Sequence, residues 1–358
     1  MKKFVVLLLL LNVNLFADEI NILFLGDTHF GDNYQENPKY NRGIDVIKKY
    51  GYDYFFENVK NILDSSSFAF ANLETPLIFN PHVSVTEDNG YVHWADADST
   101  AYYLNKYNIR AVNIANNHVF DFGPEGYSGT IEALGKYNIP AFGAGNDEKD
   151  ASKPFVKKFT LNGKEFELAV IGAYWFRSNF ESERNYYAKK NHQGVNMLNA
   201  ENISEEIRKL KIVNPNTFVV VYPHWGGNYT EANEYQEEIA HKLIDAGVDL
   251  IIGQGAHKMQ KAEQYKGKWV IYNLGNFIFN APGRYASFGV KPYSLIAKLV
   301  VNDSLNKELR LYPIYTDNME TNYRVRLLNT DEFNECYELL NGKNIKKQNG
   351  YFGIKLNQ

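Results

Sequence analysis

The sequence predicts a layered α/β or α+β fold. Apolar runs of strand length alternate with stretches of helical periodicity, and strand after strand runs into a residue able to hold a metal. The strand candidates are Asn21 to Leu25, Ser67 to Asn72, Ala111 to Ala115, Glu167 to Gly172, Thr217 to Tyr222, Val248 to Gly253 and Lys268 to Asn273. Several are apolar throughout, as expected of strands covered on both faces. Between them, Phe55, Val59, Ile62 and Leu63 share one helical face, and Ile131 and Leu134 share another. Ile239, Leu243 and Ile244 form a third, closed by Ala246-Gly247 as a C-cap. Leu295 to Val301 and Leu309 to Tyr315 read as strands joined by a turn at Asn302-Asp303-Ser304. A helix over Asp331 to Leu340 follows, then a polar tail of Lys, Asn and Gly.

Composition narrows the class. The 358 residues are 44% hydrophobic and 22% charged, an ordinary globular balance. The formal net charge of -4 implies no broad basic surface and argues against nucleic acid as the main partner. Lys2 and Lys3, the apolar run Phe4 to Leu11 and the stretch ending at Ala17 have the form of a secretory signal, although Leu15 stands where a small residue is preferred. The run is too short for a stable bilayer anchor. The expectation is a signal over 1–17, one domain over 18–320, and a C-terminal helix and tail over 321–358. The protein would be periplasmic or secreted, and membrane-tethered if the signal stayed uncut. The single cysteine, Cys336, excludes an internal disulfide and reads as a buried thiol.

The chemistry gathers at strand ends. Asn21–Leu25 runs into Gly26-Asp27-Thr28-His29, and Ser67–Asn72 into Leu73-Glu74. Ala111–Ala115 runs into Asn116-Asn117-His118, Thr217–Tyr222 into Pro223-His224-Trp225, and Val248–Ile252 into Gly253-Gln254-Gly255-Ala256-His257. In open α/β sheets, ligands collect outside the carboxyl ends of the strands. Carboxylate, imidazole and amide donors together suit Mn, Fe or Zn rather than thiolate chemistry. Asp27 and His29 alternate along extended chain, so one ion can take both only if the backbone turns there, which Gly26 permits. Asp121 either orients His118 or caps a helix before Gly123-Pro124. Asn276 is either a turn residue or a ligand contact. The stretch Trp175 to Asn191, rich in Tyr, Arg, Lys and Asn, is either a loop beside the site or a solvated insertion. His82, His93, His192 and His241 stand outside the pattern.

Several segments resemble the bacterial capsule synthesis CapA family of poly-γ-glutamate biosynthesis. They are Gly26-Asp27, Asn72-Leu-Glu-Thr-Pro76, Asn113-Ile-Ala-Asn-Asn-His118 followed by Asp121 and Gly123, His224-Trp-Gly226 and Tyr272-Asn-Leu-Gly-Asn-Phe277, in order over roughly Ile22 to Asn280. The resemblance implies a four-layer α-β-β-α sandwich like that of calcineurin-type metallophosphoesterases, with a divalent-metal centre at the sheet rim. It implies that Asp27, His29 and His257 serve one metal, that Glu74 bridges to a second, and that Asn117 and His224 serve that second ion. His118 would act as general acid, with Asp121 beside it, and water activated at the metal would attack the substrate. Trp225 and Asn276 are the candidates for substrate contact. One departure stands out: the family's usual His-Pro-His begins here with Gly255, which weakens the second metal.

Two functions follow from the resemblance. One is a metal-dependent hydrolase acting on a phosphoester or on a γ-glutamyl or other cell-surface polymer bond. The other is a non-catalytic accessory protein that binds an anionic polymer for the capsule or polyglutamate machinery. Retention of His118 beside Asn117 favours the first, and Gly255 the second.

Overall fold

The computed structural model describes residues 19–41, 43–79, 92–340 and 342–356. The expected signal over 1–17 and His82 lie outside the described residues. Six strands position the site: β1 (Glu19–His29), β2 (Phe68–Leu73), β3 (Ile109–Asn113), β4 (Phe218–His224), β5 (Leu250–Ile252) and β6 (Asn276–Phe279).

Alternation along these strands builds the layers. Ile22 and Phe24 of β1, Phe68 and Phe70 of β2, and Val220 and Tyr222 of β4 meet in one apolar cluster between a ten-stranded and a six-stranded sheet. The intervening residues Leu23, Leu25, Ala69 and Ala71 point the other way. They pack with Ala101, Leu104 and Leu134 of helices Ala97–Lys106 and Gly123–Gly135. Val219 and Val221 turn outward from the second sheet onto Ile203, Ile239 and Leu243 of helices Ala200–Val213 and Glu234–Asp245. These interfaces stack helix, sheet, sheet and helix, the four-layer sandwich that the resemblance implied. β1, β2 and β3 run parallel in the first sheet, and β4 and β5 run parallel in the second. The Ala246-Gly247 stop is present, with Gly247 at φ +105°.

Three local readings change. The Phe55–Leu63 stretch is two short helices, Asp53–Phe56 and Lys60–Asp64, although Phe55, Val59 and Leu63 still reach the core. Ile131 is 40% exposed, because its helix buries the face carrying Tyr127, Thr130 and Leu134. The polar tail contains a strand, Phe352–Leu356, paired antiparallel with Lys307–Tyr315. Its buried Phe352 and Ile354 tie the C-terminal segment into the main sheet. The apolar residues there are too few, amid Lys and Gly, for sequence periodicity to show them. Cys336 is buried as expected, its Sγ 3.5 Å from Met259 Sδ.

Asp32 lies in a short helix after β1, is buried, and accepts a hydrogen bond from the Tyr52 hydroxyl. Burial pushes its carboxyl from 3.8 up to about 7, against the opposing effect of Tyr52. The folded chain therefore holds a proton that the unfolded chain releases, and this group's contribution to stability falls as pH rises through that window. Asp32→Asn keeps the neutral form. It should be more stable than the native chain by about 1–3 kcal/mol near pH 8, with the gap closing near pH 4, as read from urea midpoints.

Candidate metal centre

Strand register aligns the polar ends. Asp27 of β1 pairs with Asn72 of β2, Asn72 pairs with Asn113 of β3, and Asp27 pairs on its other side with Asn276 of β6. The close approach of β6 depends on Gly26, where an added Cβ would run into the Gly275 carbonyl oxygen. The Asp27 N–H donates to that oxygen at 3.0 Å. Asn72 Nδ2 donates to Asp27 Oδ1 at 2.9 Å and to His224 Nδ1 at 3.0 Å, which fixes a residue of the other sheet against β1. Asn113 spans the same boundary by donating to the Tyr222 carbonyl at 3.2 Å. Asn116 locks the following turn through Asn72 Oδ1 and the Leu73 carbonyl.

Glu74 sits at the centre. Its Oε1 lies 3.9 Å from His118 Nε2, 3.8 Å from His224 Nε2 and 3.9 Å from His257 Nε2. Asp27 Oδ2 is 3.3 Å from His257 Nδ1. Ligand atoms of Asp27, Glu74 and His257 all lie within 4.8 Å of one another. Glu74 is fully buried, and among the described residues neither of its oxygens has a hydrogen-bond partner.

The cluster places buried acids among buried imidazoles. Burial, then the charges of Asp27 and Asp121, hold the Glu74 carboxyl well above the usual range. Burial would raise Asp27 too, but the hydrogen bond and charge of His257 take it below its ordinary value. Burial, with neighbouring imidazoles, pushes His118 and His224 down to about 3 despite the opposing charge of Asp27. Neutral imidazoles offer lone pairs, not positive charge. This buried donor set of carboxylate oxygen and imidazole nitrogen could hold a metal ion.

Residues 21–281 match the family described as bacterial capsule synthesis protein PGA_cap. The chain belongs to this family. It is 30% identical over 264 residues to the PGA biosynthesis protein CapA of Bacillus subtilis (strain 168), a match covering 74% of this chain and 64% of that protein. It is 27% identical over 266 residues to the capsule biosynthesis protein CapA of Bacillus anthracis, covering 74% and 60%. A probable polyglutamine synthesis accessory protein of Mycobacterium tuberculosis is 27% identical over 229 residues, covering 59% and 58%. The chain thus spans less than two thirds of the length of each of these relatives.

Within this PGA_cap domain the candidate residues separate. Asp27, Glu74, His118, His224 and His257 converge. His29 is placed differently from its expected partnership with Asp27 and His257. Strand pairing shifts register between Asp27 and His29, and the His29 Nε2 bonds Asn33 Oδ1 at 2.9 Å. Its ring stacks on His93 at 4.7 Å, and His93 stacks on His118 at 3.7 Å. Asn117 is half-buried and lines the cleft, while its neighbour Asn116 makes the inward contacts. Asp121 orients His118, with Oδ2 at 2.6 Å from Nδ1, and the same oxygen accepts the His93 N–H.

The two substrate-contact candidates take structural places instead. Trp225 is fully buried, with its indole N–H donating to the Tyr272 carbonyl at 2.7 Å, and it fills the core under the outer helices. Asn276 is buried; its Oδ1 lies 2.9 Å from His257 Nδ1 and its Nδ2 donates to the Tyr285 hydroxyl. It sets the orientation of His257, which sits in left-handed backbone at φ 59°. Gly255 has φ +101°, and a Cβ there would lie 2.7 Å from His224 Nε2. Its N–H donates to Asp27 Oδ2 at 3.2 Å. At the position where the family resemblance places a second-metal ligand, a side chain would be strained and would crowd the His224 ring.

A cleft of about 1050 Å³ opens over His118, Asn117 and Asp121. The Trp175–Asn191 stretch forms its wall through Arg177, Phe180, Arg184 and Tyr186, with Arg284 also lining it. This segment is beside the site. Sequence reasoning missed His93, which lies outside any strand, and Asn72 as the hub between sheets. The second was visible as a polar residue ending an apolar run.

Proposed function

We propose that this PGA_cap-family chain is an exported, metal-dependent hydrolase acting on poly-γ-glutamate or a related anionic cell-surface polymer. The observation that carries this is the Glu74 carboxylate, buried, without a hydrogen-bond partner among the described residues, and surrounded by three imidazole nitrogens at 3.8 to 3.9 Å. Asp27, Glu74 and His257 would hold a divalent cation such as Mn, Fe or Zn, with His224 beside them. Such a cation, once bound, would supply Lewis acidity to the reaction. His118 faces the cleft and is aimed by Asp121, the arrangement required of a proton donor to a leaving group. Export rests on the Lys-led apolar N-terminus, and among the described residues no helix is long and apolar enough to cross a membrane. The substrate reading rests on the printed roles of the relatives in capsule and PGA biosynthesis.

The test joins metal content with turnover. The purified chain should hold about one equivalent of metal, and Asp27→Ala/His257→Ala should hold none. With Mn added, His118→Ala should keep its metal yet lose about 10²–10⁴-fold in kcat on a polymer or an aryl phosphodiester. A metal-free, inactive native chain would sink the hydrolase reading. The polymer-binding accessory reading would then stand, which Gly255 favours.

A further inference from the structure

We propose that Arg177 and Arg184, with Arg284 on the same cleft, form a clamp for the carboxylates of a polyglutamate strand lying across His118. This rests on the polymer reading above and assigns the residues that recognise it.

The three arginines share one cleft with His118 and Asn117. Arg177 and Arg184 flank the short helix Ser178–Arg184, and both guanidinium groups sit against one ring, 5.3 and 4.9 Å from the Phe180 centroid. Arg284 is held in the same way, 5.7 Å from Tyr229 and 5.4 Å from Phe288. Stacking on Phe180 fixes the Arg177 and Arg184 guanidinium groups without consuming their N–H donors, so these two forks stay available to a carboxylate. Among the described residues no carboxylate pairs with Arg177 or Arg184, whereas Arg310, Arg324 and Arg326 are each paired. Asp121 is the sole carboxylate among the lining residues, and it is already engaged by His118 and the His93 N–H. In a chain of net charge -4, this cleft is thus lined by three arginines against one engaged carboxylate. Like charges gathered on an open wall repel until an anion enters between them.

The ligand class follows from the shape as well as the sign. A cleft of about 1050 Å³ exceeds what a single phosphate or one amino acid fills. A glutamate polymer linked through its γ-carboxyl groups keeps one free carboxylate per residue, so it can meet separated arginines while one linkage faces His118.

The experiment uses the full chain and a labelled γ-linked glutamate oligomer of about ten residues, followed by fluorescence anisotropy at low and physiological ionic strength. Arg177→Gln/Arg184→Gln should bind the oligomer about tenfold more weakly, with a shallower salt dependence. Its metal content should match the native chain. Arg208→Gln, on the outer helix Ala200–Val213, should bind like the native chain. Equal binding by the double variant would overturn the clamp, as would displacement of the oligomer by inorganic phosphate at equal carboxylate-normalised concentration. A native chain that holds metal but ignores the oligomer overturns the clamp and leaves the hydrolase reading standing. A chain that lacks metal yet binds the oligomer through the arginines does the reverse.

Discussion

Glu74→Gln should abolish stoichiometric metal binding and, in the same protein, raise the stability of the metal-free fold. The two effects have one cause. Glu74 is fully buried, both its oxygens lack a hydrogen-bond partner among the described residues, and burial holds the facing His118 and His224 imidazoles neutral. Without a cation the carboxylate is an uncompensated buried acid, and its pKa is driven up accordingly. A neutral amide of nearly the same shape removes that cost, worth about 1–3 kcal/mol in the chelator-treated protein. The amide is a far poorer ligand for a divalent ion, so added metal should stabilise the native chain and leave the variant unmoved. The measurement is thermal unfolding of both proteins in chelator and in excess Mn. A variant less stable than the native chain in chelator would mean that Glu74 has a protein partner and the cation is not required.

Gly255→His should fail to build a second metal site and should cost the protein stability. The substitution restores the residue that the family resemblance places there, so sequence logic alone forecasts a gain. The structure forecasts a loss for two reasons. Gly255 has φ +101°, where a side chain is strained, and a Cβ would meet the His224 ring at 2.7 Å. Backbone strain of this kind costs about 1–3 kcal/mol, before any displacement of His224. The Gly255 N–H also supports Asp27 Oδ2, so the first site should weaken as well. Unfolding midpoints and metal equivalents decide it. A stable variant with two equivalents would show that this loop has a second conformation able to accept the ligand.

Asp27, Glu74, His118, His224 and His257 could be named from the sequence because each follows an apolar strand run, and parallel strands bring such ends to one rim. The layering was equally legible, since strand runs that are apolar throughout demand cover on both faces. Trp225 and Asn276 were misread for a shared reason. A motif records that a residue sits near the site, but not which way its side chain points. Trp225 points into the core and Asn276 into a hydrogen bond with His257.

By itself, then, the sequence determined the family and the strand-end placement of the carboxylate and imidazole side chains. These depend on local periodicity and residue type, which lie within a few positions along the chain. Only the tertiary structure decided that His29 stacks on His93 away from its expected partners, that a side chain at Gly255 would crowd the His224 ring, and that the Phe352–Leu356 strand completes the main sheet. Each of these is a contact between segments far apart in the chain. Such contacts are set by strand register and by which layers meet, quantities that no local pattern encodes.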